Sequence, residues 1–201
     1  MVLIRNFSAT VAHAFRSIIL IGAPGTGKGT YGGLLSKDIN YKKISTGDEI
    51  RKLLKKENLS DEMLEIKKLV SQGKFISDQM ALDLVAEAGE NLGGSKGVML
   101  DGVPRTVAQF RMIEQTWDLK KMFAINFTLK EDILIEKLTG RRVCEDCGQN
   151  FNICNISQGR YEMEPLLSKK GDHCDCCNGK LVHRDDDQVS VIKARLDTYH
   201  E

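Results

Sequence analysis

The sequence predicts an α/β protein: a parallel sheet layered with helices on both faces. Three observations carry that prediction. Short apolar runs at Ile18–Ile21, Gly97–Asp101 and 121–128, with a shorter candidate at Tyr41–Ile44, alternate with longer segments of helical character. The first run breaks into a glycine-rich turn that ends in a lysine and a hydroxyl residue, Gly22-Ala-Pro-Gly-Thr-Gly-Lys-Gly-Thr30. Another run ends on a carboxylate, Asp101, at the strand end where open parallel sheets bind their ligands.

The elements follow in order. Ile18–Ile21 reads as a buried strand because no polar residue interrupts it. Gly22, Gly25, Gly27 and Gly29 then allow a tight turn, and a helix begins near Lys28, running through Lys37 to end near Asn40. Tyr41–Ile44 is a short strand leading into Ser45-Thr-Gly-Asp48, and 49–56 and 60–72 read as helices. Ser60 is the N-cap of the second of these, with Asp61 and Glu62 in its first turn and Gly73 as its stop. Residues 78–91 form a helix broken by Gly93-Gly94, then come the strand 97–101, a helix over 106–116, the strand 121–128 and a helix over 130–139.

The glycine turn carries chemistry. Its N–H groups converge on one anion, and the positive end of the following helix adds to the same point. Glycines, lysine and hydroxyl together specify a phosphate loop that binds a nucleoside triphosphate, whereas a bare Gly-x-Gly would be only a turn. The usual slot after the lysine is filled by Gly29, and the hydroxyl moves to Thr30, so another residue must help hold Mg²⁺. Asp101, at a strand end beside the loop, is placed for that role; its bland alternative is a helix cap. Arg105 asks for an anionic partner, and a phosphate would serve. Arg51 alone would read as a solvated helix face.

Composition excludes several classes. At 201 residues the chain is one or two domains, and a net charge of +1 gives no reason to expect nucleic acid or an acidic membrane as partner. No apolar run approaches the ~20 residues of a membrane span. Residues 1–17 hold Arg5 and Arg16 but no acid, and Leu3, Phe7, Val11 and Phe15 recur every fourth position. This resembles a mitochondrial transit peptide, with a plain N-terminal extension as the alternative, so the expected location is cytoplasmic or mitochondrial.

Cys144-Glu-Asp-Cys147-Gly and Cys174-Asp-Cys-Cys177-Asn-Gly are two knuckle turns. Each presents two thiolates to one tetrahedral ion, so Cys144, Cys147, Cys174 and Cys177 are candidate ligands of a structural Zn²⁺. Free thiols or a disulfide are the other readings. Cys154 and Cys176 are surplus to that set. Small zinc ribbons often bind nucleic acid, and the near-neutral charge argues against it here.

Gly-x-Pro-Gly-x-Gly-Lys-Gly-Thr, Ser-Thr-Gly-Asp-x-x-Arg, Gly-Lys-Phe-Ile-Ser-Asp, Leu-Asp-Gly-x-Pro-Arg-Thr, Thr-Gly-Arg-Arg and Arg184-Asp-Asp-Asp187 occur in this order. With Arg195 they resemble the adenylate kinase family of nucleoside monophosphate kinases over nearly the whole chain after residue 17. The resemblance implies that Gly25, Thr26, Gly27, Lys28, Gly29 and Thr30 cradle the ATP phosphates, with Lys28 bridging to the transferred group and Asp101 holding Mg²⁺ through water. It implies AMP contacts from Thr46, Arg51, the backbone of Lys74, Phe75 and Ile76, the stretch Gly102-Val103-Pro104-Arg105, and Gln109 at the adenine. Arg141, Arg184 and Arg195 match the arginines that close over the phosphates, Arg141 on the donor side, and Asp186 and Asp187 match the acids of a lid hinge. Asn150 and Phe151 fall where the lid covers the donor, and Lys137 stands where an arginine usually packs on the donor base.

The implied organisation is a P-loop core (18–44, 77–139 and 188–201), a helical NMP-binding insertion (45–76) and a zinc-ribbon-like lid (140–187). The implied reaction is ATP + AMP giving two ADP, in a monomer with Mg²⁺ and a lid zinc. A GTP:AMP phosphotransferase of the same family and a catalytically weak nucleotide-binding module are the alternatives. Three departures stand out: residues 148–173 between the knuckles are long for the family, Val103 replaces a customary phenylalanine, and family members continue past a position like Glu201 into a last strand and helix.

Overall fold

The computed structural model describes residues 16–55, 58–115 and 117–200. Residues 1–15, on which the targeting reading chiefly rests, lie outside them. The chain divides into two compact units: Met1–Gly22, Gly27–Lys67 and Phe75–Phe127 form the first, and Ala23–Thr26, Lys68–Lys74 and Thr128–Glu201 the second.

The first unit is built on β1 (Arg16–Gly22), α1 (Lys28–Asp38), β2 (Tyr41–Ser45), α2 (Thr46–Leu54), α3 (Asp61–Ser71, whose last turn falls in the second unit), α4 (Asp78–Gly89), β3 (Gly97–Asp101), α5 (Val107–Glu114) and β4 (Met122–Phe127). The strands form one parallel sheet in the order β2-β3-β1-β4. A parallel pair needs a long crossover, and the helices supply it. Register does the positioning: Leu20 and Ser45 both lie opposite Asp101. The chain therefore leaves β1, β2 and β3 at the same edge.

β3 is the centre of the core. Val98, Met99 and Leu100 are 0–1% exposed, each burial stabilising the fold by about 1.5–3 kcal/mol. Ile44, Ala81, Val85, Val103, Ile113 and Trp117 pack with Val98 and Leu100. Gly32 in α1 lets the helix lie close on the sheet, since a side chain there would meet Leu20 and the Met99 sulfur.

Two elements differ from the sequence expectation. α2 begins at Thr46 rather than 49, because Ser45 takes the N-cap and its hydroxyl accepts the Asp48 N–H at 3.3 Å. The apolar run 121–128 gives β4, which pairs with β1 alone among the described residues, and Phe123 stays 57% exposed. An edge strand buries less than a central one, and residue types alone do not say which strand lies at the edge.

In the second unit α6 (Glu131–Thr139) packs on α7 (Val189–His200) through Leu134, Leu138, Ile192 and Leu196, with Ala23 in the same cluster. β5 (Arg141–Cys144), β6 (Asn150–Asn152) and β9 (Leu181–Val182) form an antiparallel sheet in the order β6-β5-β9. β7 (Ile156–Gln158) and β8 (Tyr161–Met163) form a hairpin, which occupies the long stretch between the cysteine pairs. No helix among the described residues is long and apolar enough to cross a membrane.

Candidate active site

The glycine turn is shaped by backbone that only glycine adopts readily. Gly25 has φ +88°, and a Cβ there would come within 2.9 Å of Leu138 Cγ and 3.2 Å of the Leu134 carbonyl. Gly27 (φ 101°) is the N-cap of α1. The turn is also tied to itself: the buried Thr26 hydroxyl donates to the Ala23 carbonyl at 2.9 Å, and the Lys28 ammonium donates to the Gly22 carbonyl at 2.6 Å. Gly29 and Thr30 lie in the first turn of α1, whose N–H groups have no partner inside the helix.

Asp101 ends β3, and the structure adds a neighbour that sequence reasoning missed. Lys43 of β2 sits with its Nζ 3.6 Å from Asp101 Oδ2 and donates to the Gly29 carbonyl at 3.3 Å. Both side chains are largely shielded, at 18% and 12% exposed. A lysine in a strand half-sunk in a sheet calls for a carboxylate, but identifying Asp101 as the partner needs the β2–β3 register.

Beside Asp101 the first unit gathers a second polar cluster. Gly102 (φ +92°) presents a bare face to the Thr46 hydroxyl, 2.6 Å from where its Cβ would be, and to the Arg105 guanidinium at 3.0 Å. Arg105 lies 4.9 Å from the centre of the Phe75 ring, which holds the cation by its face. Arg51 folds over Gly47 and pairs with Asp48 one turn earlier. Gln109 is 2% exposed. Its Oε1 accepts the Arg105 N–H at 2.6 Å and its Nε2 donates to Asp78 Oδ1 at 2.8 Å. Val103, joined to Pro104 by a cis peptide, is fully buried in the core. Lys74 belongs to the second unit, while Phe75 and Ile76 belong to the first. The hydroxyl of Thr46, the guanidinium of Arg105 and a lysine–carboxylate pair at one sheet edge suit a phosphorylated ligand with its cation.

The second unit holds the remaining arginines. Arg141 grips the carboxylate of Asp187 with Nε at 2.7 Å and with Nη2, and Asp187 is 0% exposed. Arg195 bonds Asp186 Oδ2 at 3.0 Å and approaches Asp187 Oδ1 at 3.5 Å. Arg184 contacts Asn150 Oδ1 at 3.5 Å. Phe151 is 5% exposed and packs with Cys144, Cys174 and Leu181. Lys137 Nζ lies 3.4 Å from the Met163 sulfur, and burial lowers its pKa against a rise from nearby Cys154.

Cys144, Cys147, Cys174 and Cys177 converge, with their sulfurs all within 4.8 Å of one another. The Cys144–Cys177 and Cys147–Cys174 separations are 3.3 and 3.6 Å, close to the ~3.8 Å edge of a tetrahedron with Zn–S bonds of ~2.3 Å. Gly179 is needed here, since a Cβ would run into Asp146 and reach within 2.9 Å of the Cys144 sulfur. Burial raises the pKa of Cys144, but the N–H groups of Cys147 and Asp146 and the adjoining thiols bring it down to about 7. The four sulfurs can hold a metal ion, while Cys154 and Cys176 stand outside the cluster.

Comparison with known proteins agrees with this geometry. A family model described as adenylate kinase matches residues 20–201. A GTP:AMP phosphotransferase of Plasmodium falciparum is 38% identical over 186 residues, covering 90% of this chain and 79% of that protein. Chloroplastic adenylate kinase 1 of Arabidopsis thaliana is 40% identical over 193 residues, covering 91% and 64% of the two chains. An adenylate kinase of Treponema denticola is 38% identical over 181 residues, covering 90% and 80%.

Proposed function

The chain belongs to the adenylate kinase family of nucleoside monophosphate kinases, and from that premise we propose that it transfers a phosphoryl group from ATP to AMP, giving two ADP. The observation that carries the reading is the polar cluster at Gly102, where the Thr46 hydroxyl and the Arg105 guanidinium converge beside Asp101. In this reading the AMP phosphate lies against Arg105, Arg51 and Thr46, with the base at Gln109. The nucleophile is an ionised phosphate oxygen, so the reaction needs no general base. The work is alignment and neutralisation of charge.

Lys28 stabilises the charge on the transferred group, and the N–H groups at the start of α1 hold the donor phosphates. Mg²⁺, when bound with the nucleotide, neutralises phosphate charge, and Asp101 would hold it. Arg141, Arg184 and Arg195 are the proposed phosphate-neutralising arginines of the second unit. Residues 45–76 would serve as the AMP-binding insertion and 140–187 as a lid that excludes water, with Asp186 and Asp187 at its hinge. The cysteine cluster would hold a structural zinc in that lid.

A second reading, with GTP as donor, is supported by the Plasmodium falciparum relative's name. Lys137 supports it too: an ammonium stacks on a purine less well than a guanidinium, which weakens discrimination between bases. One assay separates these readings from a binding-only module. ADP formation is followed with AMP fixed and ATP or GTP varied, with AMP omitted as control. ATP preferred by roughly tenfold or less, on the scale of weak pocket contacts, is expected. A preference for GTP transfers the protein to the second reading, and AMP-dependent turnover with neither donor leaves only nucleotide binding.

A further inference from the structure

The amide of Gln109 is held by two neighbours of opposite polarity. Oε1 accepts the Arg105 backbone N–H at 2.6 Å, and Nε2 donates to Asp78 Oδ1 at 2.8 Å. The same carboxylate oxygen accepts the Thr106 hydroxyl at 3.2 Å, and Thr106 Oγ1 in turn caps α5 by accepting the Gln109 N–H at 3.1 Å. Asp78, in the first turn of α4, therefore ties that helix to the start of α5.

A glutamine amide can be turned over with little change in shape, and its neighbours decide which way it sits. Here both neighbours agree. The reversed amide would set NH₂ against the Arg105 N–H and a carbonyl oxygen against a carboxylate that can only accept. With one lone pair and one N–H committed, Gln109 keeps one lone pair and one N–H for a ligand. In the seat assumed here, with the C6 substituent at Oε1 and N1 at Nε2, these groups match a 6-aminopurine, which offers an amino donor at C6 and an acceptor at N1. A 6-oxopurine offers the reverse, an acceptor at C6 and a donor at N1.

We propose that Asp78 is a positioning residue that fixes the Gln109 amide in the orientation that accepts adenine and rejects 6-oxopurine monophosphates. The proposal rests on the reading above that Gln109 meets the acceptor base. Asp78 itself touches no substrate in this scheme; it acts through the amide it holds.

The test compares AMP with IMP as acceptor, at saturating ATP, in the full chain and in Asp78→Asn, Asp78→Ala and Gln109→Ala. Equilibrium dialysis of AMP and IMP adds a readout independent of turnover. Asp78→Asn keeps the shape and an acceptor but can also donate, so it no longer excludes the reversed amide. Its AMP:IMP ratio of kcat/KM falls by roughly threefold or more while thermal stability and KM for ATP stay near the parent values, and the affinity ratio falls in parallel. Asp78→Ala lowers the ratio by roughly tenfold, the worth of one charge-assisted hydrogen bond. A purely structural role would lower stability and leave the ratio unmoved. If Gln109→Ala collapses the ratio and both Asp78 variants keep it within twofold, the role of Asp78 is overturned and the base reading stands. If Gln109→Ala also leaves the ratio unchanged, the base reading itself falls and takes the Asp78 proposal with it. Should Asp78→Ala fail to fold, Asp78→Asn alone decides.

Discussion

Replacing Asp187 by alanine should destabilise the second unit more than any surface change. The carboxylate is 0% exposed, takes a two-pronged grip from Arg141 and lies 3.5 Å from Arg195. Removing one partner of a buried pair leaves the other charge without compensation, at about 3–5 kcal/mol. The Arg141 and Arg195 side chains are 17% and 19% exposed, so each can recover some hydration, which favours the lower end, ~3 kcal/mol. For a chain of this size ~1 kcal/mol moves the melting temperature by roughly 2–4 °C, so a fall on the order of 10 °C is expected. Asp187→Asn keeps the shape and loses the charge, and should lie between. A double-mutant cycle with Arg141→Met, read by thermal and urea unfolding, should return a coupling of about 1–3 kcal/mol. A melting temperature for Asp187→Ala within about 2 °C of the parent, or a coupling near zero, would refute the assignment of this pair as a stabilising element.

Lys28→Ala should lower turnover by roughly 10²–10³-fold or more, since it removes charge stabilisation concentrated in the transition state; a loss under about tenfold in steady-state kinetics would remove Lys28 from that role. Elemental analysis should find about one zinc per chain. Chelation or Cys174→Ser should lower the melting temperature, whereas metal-free protein with unchanged melting would exclude the site. Lys43→Gln frees Asp101 from its cation and should lower the Mg²⁺ concentration at half-maximal activity by roughly two- to fivefold, the worth of a partly screened pair of ~0.5–1 kcal/mol. An unchanged or higher Mg²⁺ requirement would show that the pair does not compete with the metal.

What the sequence reveals here is governed by how local each cause is. The glycine turn, the start of α1 at Lys28, the Ser60 cap whose hydroxyl accepts the Met63 N–H at 3.3 Å, and the stop at Gly73 (φ 76°) are set by neighbours in the chain. All of them are readable from residue types at short spacing. The cysteine knuckles are readable for the same reason, because each Cys-x-x-Cys turn is complete in itself. Lys43 with Asp101 and Asp78 with Gln109 join residues 58 and 31 positions apart, and the motif Gly-Lys-Phe-Ile-Ser-Asp that ends on Asp78 does not say that Gln109 is its partner. That β4 pairs on one side only among the described residues is likewise a property of the whole sheet.

Five cations of the candidate site share a further property. In the first unit Lys28 bonds the Gly22 carbonyl, Lys43 lies against Asp101 and Arg51 pairs with Asp48. In the second, Arg141 is held by Asp187 and Arg195 by Asp186. A cluster of cations without acids would repel itself and destabilise the folded chain. The acidic partners offset that repulsion, and all five partners aim the side chains. In the proposed roles a phosphate would compete with a carboxylate or carbonyl already in place, which would lower its affinity. The two kinds of partner differ in consequence. A pair at the surface such as Arg51–Asp48, with side chains 35% and 45% exposed, costs little to exchange. The buried Asp187 has no water to turn to, so in the proposed role Arg141 would keep part of that grip on meeting a phosphate. In those roles Arg51 would exchange its partner for a ligand more readily, and Arg141 is the cation whose direction the fold dictates.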